Sequence, residues 1–164
     1  MKFIEDILNK KIKLLIEKLK AKNLQIGVSE SLTGGMLASM IVNVEGASAV
    51  FKGGIVAYSP EIKTKILKVE KSIISEKGTV CSDVALQMAR GAQEVLETDI
   101  AISTTGVAGP GSYEGKDAGT VYVGLRYLNK ETSFLLKATG KREEIRLKTV
   151  EFCIDKTLSI LSSQ

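Results

Sequence analysis

Strand-length apolar segments alternate with helix-period segments along this chain, and that alternation leaves few folds open. Phe3, Ile4, Ile7, Leu8, Ile12, Leu15, Ile16 and Leu19 recur at helical spacing with Lys and Glu between them, which predicts an amphipathic opening helix. Leu24–Val28 reads as a strand, Gly34 to about Val44 as a helix, and Gly53–Tyr58 as a second strand. Ser59-Pro60-Glu61 combines a capping hydroxyl, proline at the first helical position and an early acid, so a short helix follows over Ile62–Leu67. Ser82-Asp83 caps another helix running to Leu96, Asp99–Ser103 is a strand, and Gly119–Leu128 with Thr132–Ala138 forms a hairpin around Asn129-Lys130. Arg142–Leu161 is helical again. Strands alternating with helices, then a hairpin and a last helix, predict an α/β fold: a three-layer α/β/α domain with a mixed sheet.

Length and composition agree with this. The chain has 164 residues, 44% of them apolar, which suits one domain over residues 1–164 with a real core. No stretch is apolar for long enough to span a bilayer, and Met1-Lys2-Phe3-Ile4-Glu5-Asp6 mixes charges early, so a cytoplasmic protein without membrane contact is expected. The 23 basic and 19 acidic residues leave a net charge of +4 that is spread out, with only pairs such as Lys10-Lys11 and Lys141-Arg142. No specific nucleic-acid binding is expected from that pattern. Cys81 and Cys153 lie far apart without a CxxC spacing and read as reduced core or near-core thiols.

Histidine is absent. This removes the commonest general base and metal ligand, so a Ser-His-Asp triad is impossible and any proton transfer near neutral pH falls to Lys, Tyr, Asp, Glu or the substrate. Three polar segments follow strand ends, where open α/β sheets hold their ligands. The first is Ser29-Glu30-Ser31-Leu32-Thr33-Gly34-Gly35, a strand-to-helix turn that can hold an anion or expose a nucleophile. The second runs from Tyr58 to Lys63. Lys63 is either a solvated surface charge or, turned inward and desolvated, an amine whose pKa falls far enough to accept a proton. The third, Ser103-Thr104-Thr105-Gly106-Val107-Ala108-Gly109-Pro110-Gly111-Ser112, lets the backbone approach a ligand closely, and is neither a Walker A loop nor a dinucleotide fingerprint.

These segments, with Gly54-Ile55-Val56-Ala57-Tyr58-Ser59 and Gly119-Thr120-Val121-Tyr122, resemble the CinA C-terminal domain family, also called the competence/damage-inducible family, in the same order over nearly the whole chain. The resemblance is to its short, stand-alone PncC form. It implies a mixed, mostly parallel five-stranded sheet in an α/β/α sandwich, self-association, and no metal or cofactor. It also implies a nicotinamide-nucleotide amidohydrolase that converts nicotinamide mononucleotide (NMN) and water to nicotinate mononucleotide and ammonia. Matched by position, Ser31 is then the nucleophile, Lys63 its base and Tyr58 a supporting hydroxyl, while Thr105, Gly106, Gly109 and Gly111 bind substrate. Ser29, Thr79, Cys81 and Ser112 depart from the family's usual residues and bear on pocket shape.

The chemistry of amide hydrolysis assigns the remaining roles. Backbone N–H groups near Thr33, Gly34 and Gly35 are expected to face the oxyanion. Arg142 and Arg146, four apart on one helix face, are candidate phosphate ligands. Glu30 pairs with either Lys63 or a ribose hydroxyl. The rival reading is a catalytically silent module that binds a pyridine nucleotide, or a regulatory protein tied to competence or DNA damage.

Overall fold

The computed structural model describes residues 2–163. The Phe3 side chain, counted above among the apolar positions, lies outside the described residues. Twelve elements follow in order: α1 (Lys2–Lys22), β1 (Ile26–Glu30), α2 (Met36–Val42), a 3-10 turn (Ala47–Ala49), β2 (Phe51–Val56), α3 (Pro60–Leu67), α4 (Lys71–Lys77), α5 (Ser82–Leu96), β3 (Ile100–Gly106), β4 (Thr120–Tyr127), β5 (Lys130–Lys137) and α6 (Arg142–Ser162). The strands form a single five-stranded sheet in the order β2-β1-β3-β4-β5. β1 runs parallel to β2 and β3, β4 is antiparallel to both its neighbours, and so four strands of the five point the same way.

The alternation of side chains across the two central strands sorts the layers. Ile26 and Val28 of β1, with Ile100 and Ile102 of β3, join the larger core that also takes Leu8, Ile12, Leu15, Leu19, Leu37, Ile145, Val150 and Ile154 from α1, α2 and α6. The opposite face carries small residues. Gly27, Ser29, Ala101, Ser103 and Gly124 make a shallow floor on which α5 lies close to the strands. A Cβ at Gly124 would sit 2.2 Å from the Ala85 carbonyl oxygen, and one at Gly27 would sit 2.6 Å from Leu96 Cδ1. The buried Ser29 and Ser103 hydroxyls donate to the carbonyls of Met88 (3.1 Å) and Ala85 (2.5 Å) of α5, so neither polar group is left unpaired there. α3 approaches the outer side of α5 as tightly, since a Cβ at Gly91 would lie 2.1 Å from the Leu67 carbonyl oxygen.

The expected elements are present with shifted ends. β1 was expected to stop at Val28 but continues through Ser29 and Glu30, whose buried side chains find partners on α5 and α2. β2 both begins and ends two residues earlier than expected, so Tyr58 lies beyond its end, and β3 extends through Gly106. Ser59 accepts the Ile62 N–H at 3.2 Å and Pro60 opens α3, as the capping pattern predicts. α5 begins at Ser82 behind Cys81, and no side chain caps it. The hairpin turn falls on Leu128-Asn129 rather than Asn129-Lys130, with Leu128 in the left-handed region (φ 53°). α4 is an element that the sequence pattern did not announce.

Candidate active site

Three parallel strands end side by side at the same edge of the sheet, and the chain leaving β1 returns to β2 on one side while the chain leaving β3 returns to β4 on the other. That divergence opens a crevice at the strand ends. A cleft of about 360 Å³ lies there, lined by Ser31, Tyr58, Lys63, Thr105, Arg142 and Thr79 among others. The volume is in the range of small-molecule sites, roughly 300–1,000 Å³.

At its centre Lys63 reaches the Ser31 hydroxyl. Lys63 is 1% exposed and lies one turn into α3, where Ser59 and Pro60 fix the helix start. Its Nζ lies 2.8 Å from Ser31 Oγ, 2.8 Å from the Ala57 carbonyl oxygen and 3.2 Å from the Tyr58 carbonyl oxygen. Three contacts match three N–H bonds of an ammonium. They equally match a neutral amine whose two hydrogens go to the two carbonyls and whose lone pair faces the hydroxyl. Burial pushes the Lys63 pKa down from 10.5 to about 8, while the charge of Glu114 pulls it partly back up. Such an amine is neutral in about a tenth of molecules at pH 7.

Ser31 is held by groups belonging to the core. Its backbone N–H donates to the Thr104 carbonyl at 2.9 Å, extending the β1–β3 ladder by one residue, and the Thr104 and Thr33 hydroxyls meet at 2.7 Å. Gly34 N–H closes the turn onto the Ser31 carbonyl at 3.1 Å. Arg146 clamps it from α6, donating to the Leu32 carbonyl at 3.0 Å and the Thr33 carbonyl at 2.8 Å.

Several expected roles are corrected by these contacts. Glu30 does not pair with Lys63: its buried carboxylate accepts the N–H groups of Gly35 (3.1 Å), Leu37 (3.0 Å) and Ala38 (2.9 Å) and caps α2. The N–H groups of Gly34 and Gly35 are therefore occupied and do not serve an oxyanion. The N–H groups of Leu32 and Thr33 donate to no acceptor among the described residues, and Leu32 lines the cleft. Arg146 spends its guanidinium on backbone carbonyls instead of facing the cleft. The Tyr58 phenol is 62% exposed and meets Arg142 Nη2 at 3.3 Å, so it is the Tyr58 carbonyl and not its hydroxyl that touches Lys63.

The other expected residues fall on the cleft or its rim. Thr105 lines it and donates its hydroxyl to the Thr79 carbonyl at 2.7 Å. Gly106 and Gly109 line it as well, whereas Gly111 stands beyond the lining residues. Arg142 bridges the mouth, donating to the Gly109 carbonyl at 2.6 Å while its other nitrogen meets the Tyr58 phenol, and no carboxylate neutralises it among the described residues. Sequence reasoning missed Tyr113, which lines the cleft, and Glu114, which holds Thr79. The Glu114 signal is faint: a single acid inside a glycine-rich loop. Cys153 is buried and Cys81 half-buried, both free, and burial raises the Cys153 thiol far above its ordinary range. No described helix is long and apolar enough to cross a membrane.

Comparison with known proteins agrees with this architecture. A family model described as CinA C-terminal domain matches residues 8–161. A CinA-like protein of Dictyoglomus thermophilum is 42% identical over 144 residues, which is 87% of this chain and 35% of that protein. The chain thus spans about a third of the length of the curated relatives it matches. Among solved structures, a competence-damaged protein (CinA) superfamily protein of Escherichia coli superposes with a TM-score of 0.91 at 29% identity, over 93% of this chain and 90% of that one. The competence/damage inducible protein CihA of Agrobacterium tumefaciens does so with a TM-score of 0.89 at 30% identity, over 94% and 95%.

Proposed function

Because the chain belongs to the CinA C-terminal domain family, we propose that it is a nicotinamide-nucleotide amidohydrolase acting through Ser31 and Lys63. The observation that carries the reading is the Lys63 nitrogen, buried and 2.8 Å from Ser31 Oγ with two carbonyls on its remaining valences. In the neutral amine those carbonyls take both hydrogens and aim the lone pair at the seryl proton. Lys63 removes that proton as Ser31 Oγ attacks the carboxamide carbon. The developing oxyanion is met by a backbone N–H left free in the Ser31 turn, of which Leu32 is the one on a cleft-lining residue. Collapse of the tetrahedral adduct expels the nitrogen, which takes the proton back from Lys63 and leaves as ammonia. Water, activated by the same amine, then releases nicotinate mononucleotide from Ser31.

Arg142 is the phosphate anchor in this reading, a cation at the mouth with no carboxylate partner among the described residues. It binds through charge-assisted hydrogen bonds, with Tyr58 beside it. Self-association, which the family resemblance implies, belongs to the same proposal and is read by sedimentation. The direct test is incubation with NMN and an assay for ammonia and nicotinate mononucleotide. Turnover in the parent and none in Ser31→Ala is the expected result. Binding of NMN without turnover in the parent overturns the enzyme in favour of a silent nucleotide-binding module.

A further inference from the structure

We propose that Glu114 is a positioning residue of this cleft: its carboxylate latches the connection between β3 and β4 onto the Gly78–Val80 turn, and so fixes a wall that lines the same space as Ser31 and Lys63. What the cleft does rests on the amidohydrolase reading; the latch rests on contacts alone.

The connection over residues 107–119 supplies Val107, Ala108, Gly109, Pro110, Ser112 and Tyr113 to the cleft, yet apart from a one-residue bridge it has no regular structure. Its base is tied by Val107 N–H to the Thr120 carbonyl (2.9 Å) and Gly119 N–H to the Val107 carbonyl (2.7 Å). The backbone of its tip closes on itself, Tyr113 and Lys116 exchanging two 2.9 Å bonds. Among the described residues, two side chains hydrogen-bond the tip region to the rest of the fold. One is Arg142, through the Gly109 carbonyl. The other is Glu114. Its two oxygens accept the Thr79 N–H (3.0 and 2.7 Å), the Thr79 hydroxyl (2.9 Å) and the Val80 N–H (3.1 Å).

The surroundings are shaped for that carboxylate. Glu114 sits at φ 51°, a left-handed conformation that a side-chain-bearing residue adopts only at a cost. A Cβ at Gly78 would lie 2.3 Å from Glu114 Oε2, so the turn leaves room for the carboxylate by lacking a side chain. Thr79 passes the tie inward, since its carbonyl accepts the Thr105 hydroxyl. Burial works to raise the Glu114 pKa, but the donors of Thr79 and Val80 and the charge of Lys116 outweigh it and hold the group below its ordinary range. The latch is therefore ionised throughout the neutral range. Its charge also reaches Lys63. Besides Lys63, the ionisable groups lining the cleft are Tyr58 ahead of α3, Tyr113 on the loop and Arg142 at the start of α6, and the elements packed around it also carry Glu30 on β1, Glu61 and Lys65 on α3, Lys116 and Asp117 on the loop and Asp83 on α5.

The test uses the full chain without substrate. In Glu114→Gln one amide oxygen must replace two carboxylate oxygens, and an NH2 faces N–H donors. Backbone amides of residues 107–119 are expected to exchange with deuterium about tenfold faster than in the parent while those of the sheet are unchanged. The Lys63 side-chain NMR titration, assigned by its loss in Lys63→Met, is expected to move down by about half a pH unit. Gly78→Ala, which crowds the carboxylate and strains a turn at φ 78° but keeps the charge, is expected to loosen the same loop with a smaller shift of Lys63. Parent-like exchange over residues 107–119 in Glu114→Gln overturns the latch, whether or not the parent hydrolyses NMN. Faster exchange in that variant, with no ammonia from the parent, leaves the latch standing and removes the amidohydrolase.

Discussion

The turn at Ser31–Gly35 and the loop over residues 107–119 border one cleft, but they are fastened by different kinds of contact. The turn is held by buried groups: the β1–β3 ladder, the Thr33–Thr104 hydroxyl pair, the Glu30 cap on α2 and the Arg146 clamp. The loop is buried at its base, but its tip is mostly exposed and is tied to the fold by two charged side chains, Glu114 and Arg142. The difference separates the site into a part that must not move and a part that can be released and reset. In the proposed amidohydrolase, chemistry sits on the first and substrate contact on the second, so damage to the turn is expected in kcat and stability, and damage to the loop in KM.

The largest effect is expected at the dyad. Ser31→Ala lowers kcat on NMN by about a thousandfold or more while the melting temperature holds, and Lys63→Arg lowers kcat as far because guanidinium stays protonated, with a lower melting temperature because the larger cation must enter a fully buried site. Single-turnover ammonia release checks both; a parent-like rate in either breaks the assignment of chemistry to the rigid side. Next comes pH. With Lys63 active as the free amine, kcat/KM falls about tenfold per unit below about 8, read from a pH–rate profile. Stability follows the same group. Its folded pKa lies below its unfolded 10.5, so between about 8 and 10.5 the unfolded chain binds more protons and this contribution rises with pH. Parent stability relative to Lys63→Met should therefore climb by about 3 kcal/mol across that window in urea titrations. Arg146→Ala leaves the Leu32 carbonyl without its donor and the Thr33 carbonyl with the Met36 N–H alone, and is expected to cost about 1–3 kcal/mol by denaturant unfolding, with kcat reduced. Arg142→Ala is expected to raise KM about tenfold with little change in melting temperature. Smallest is Arg90→Ala, remote from both walls, whose exposed pair with Glu131 is worth about 1 kcal/mol or less in the same unfolding assay.

The layer order and most elements were legible because period-2 and period-3.6 patterns are local: Ile26 and Val28, or the cap at Ser59-Pro60, need no tertiary partner to be recognised. Strand ends were not, because Ser29 and Glu30 are polar and enter a buried strand only by virtue of α5 and α2. The same limit applied to the cleft. Ser31, Lys63, Thr105 and Arg142 stood out as residue types after strand ends or at a helix start, and the fold gathers them. Glu30, Tyr58, Gly34, Gly35 and Arg146 were assigned by type as well, but their partners are set by backbone groups that sequence does not display. α4 went unread because seven residues without a capping side chain carry too little periodicity.

Gly91 lies on the far side of α5 from the strands, remote from the cleft, yet α3 rests against it through the Leu67 carbonyl, one turn after Lys63. Any methyl there would act as a shim, tilting the helix that carries the amine and widening its gap to the seryl oxygen. On the proposed amidohydrolase reading, the tolerance of the dyad is thus machined into an empty space on another element, and variation at position 91 is expected to cost turnover while leaving Ser31 and Lys63 in place.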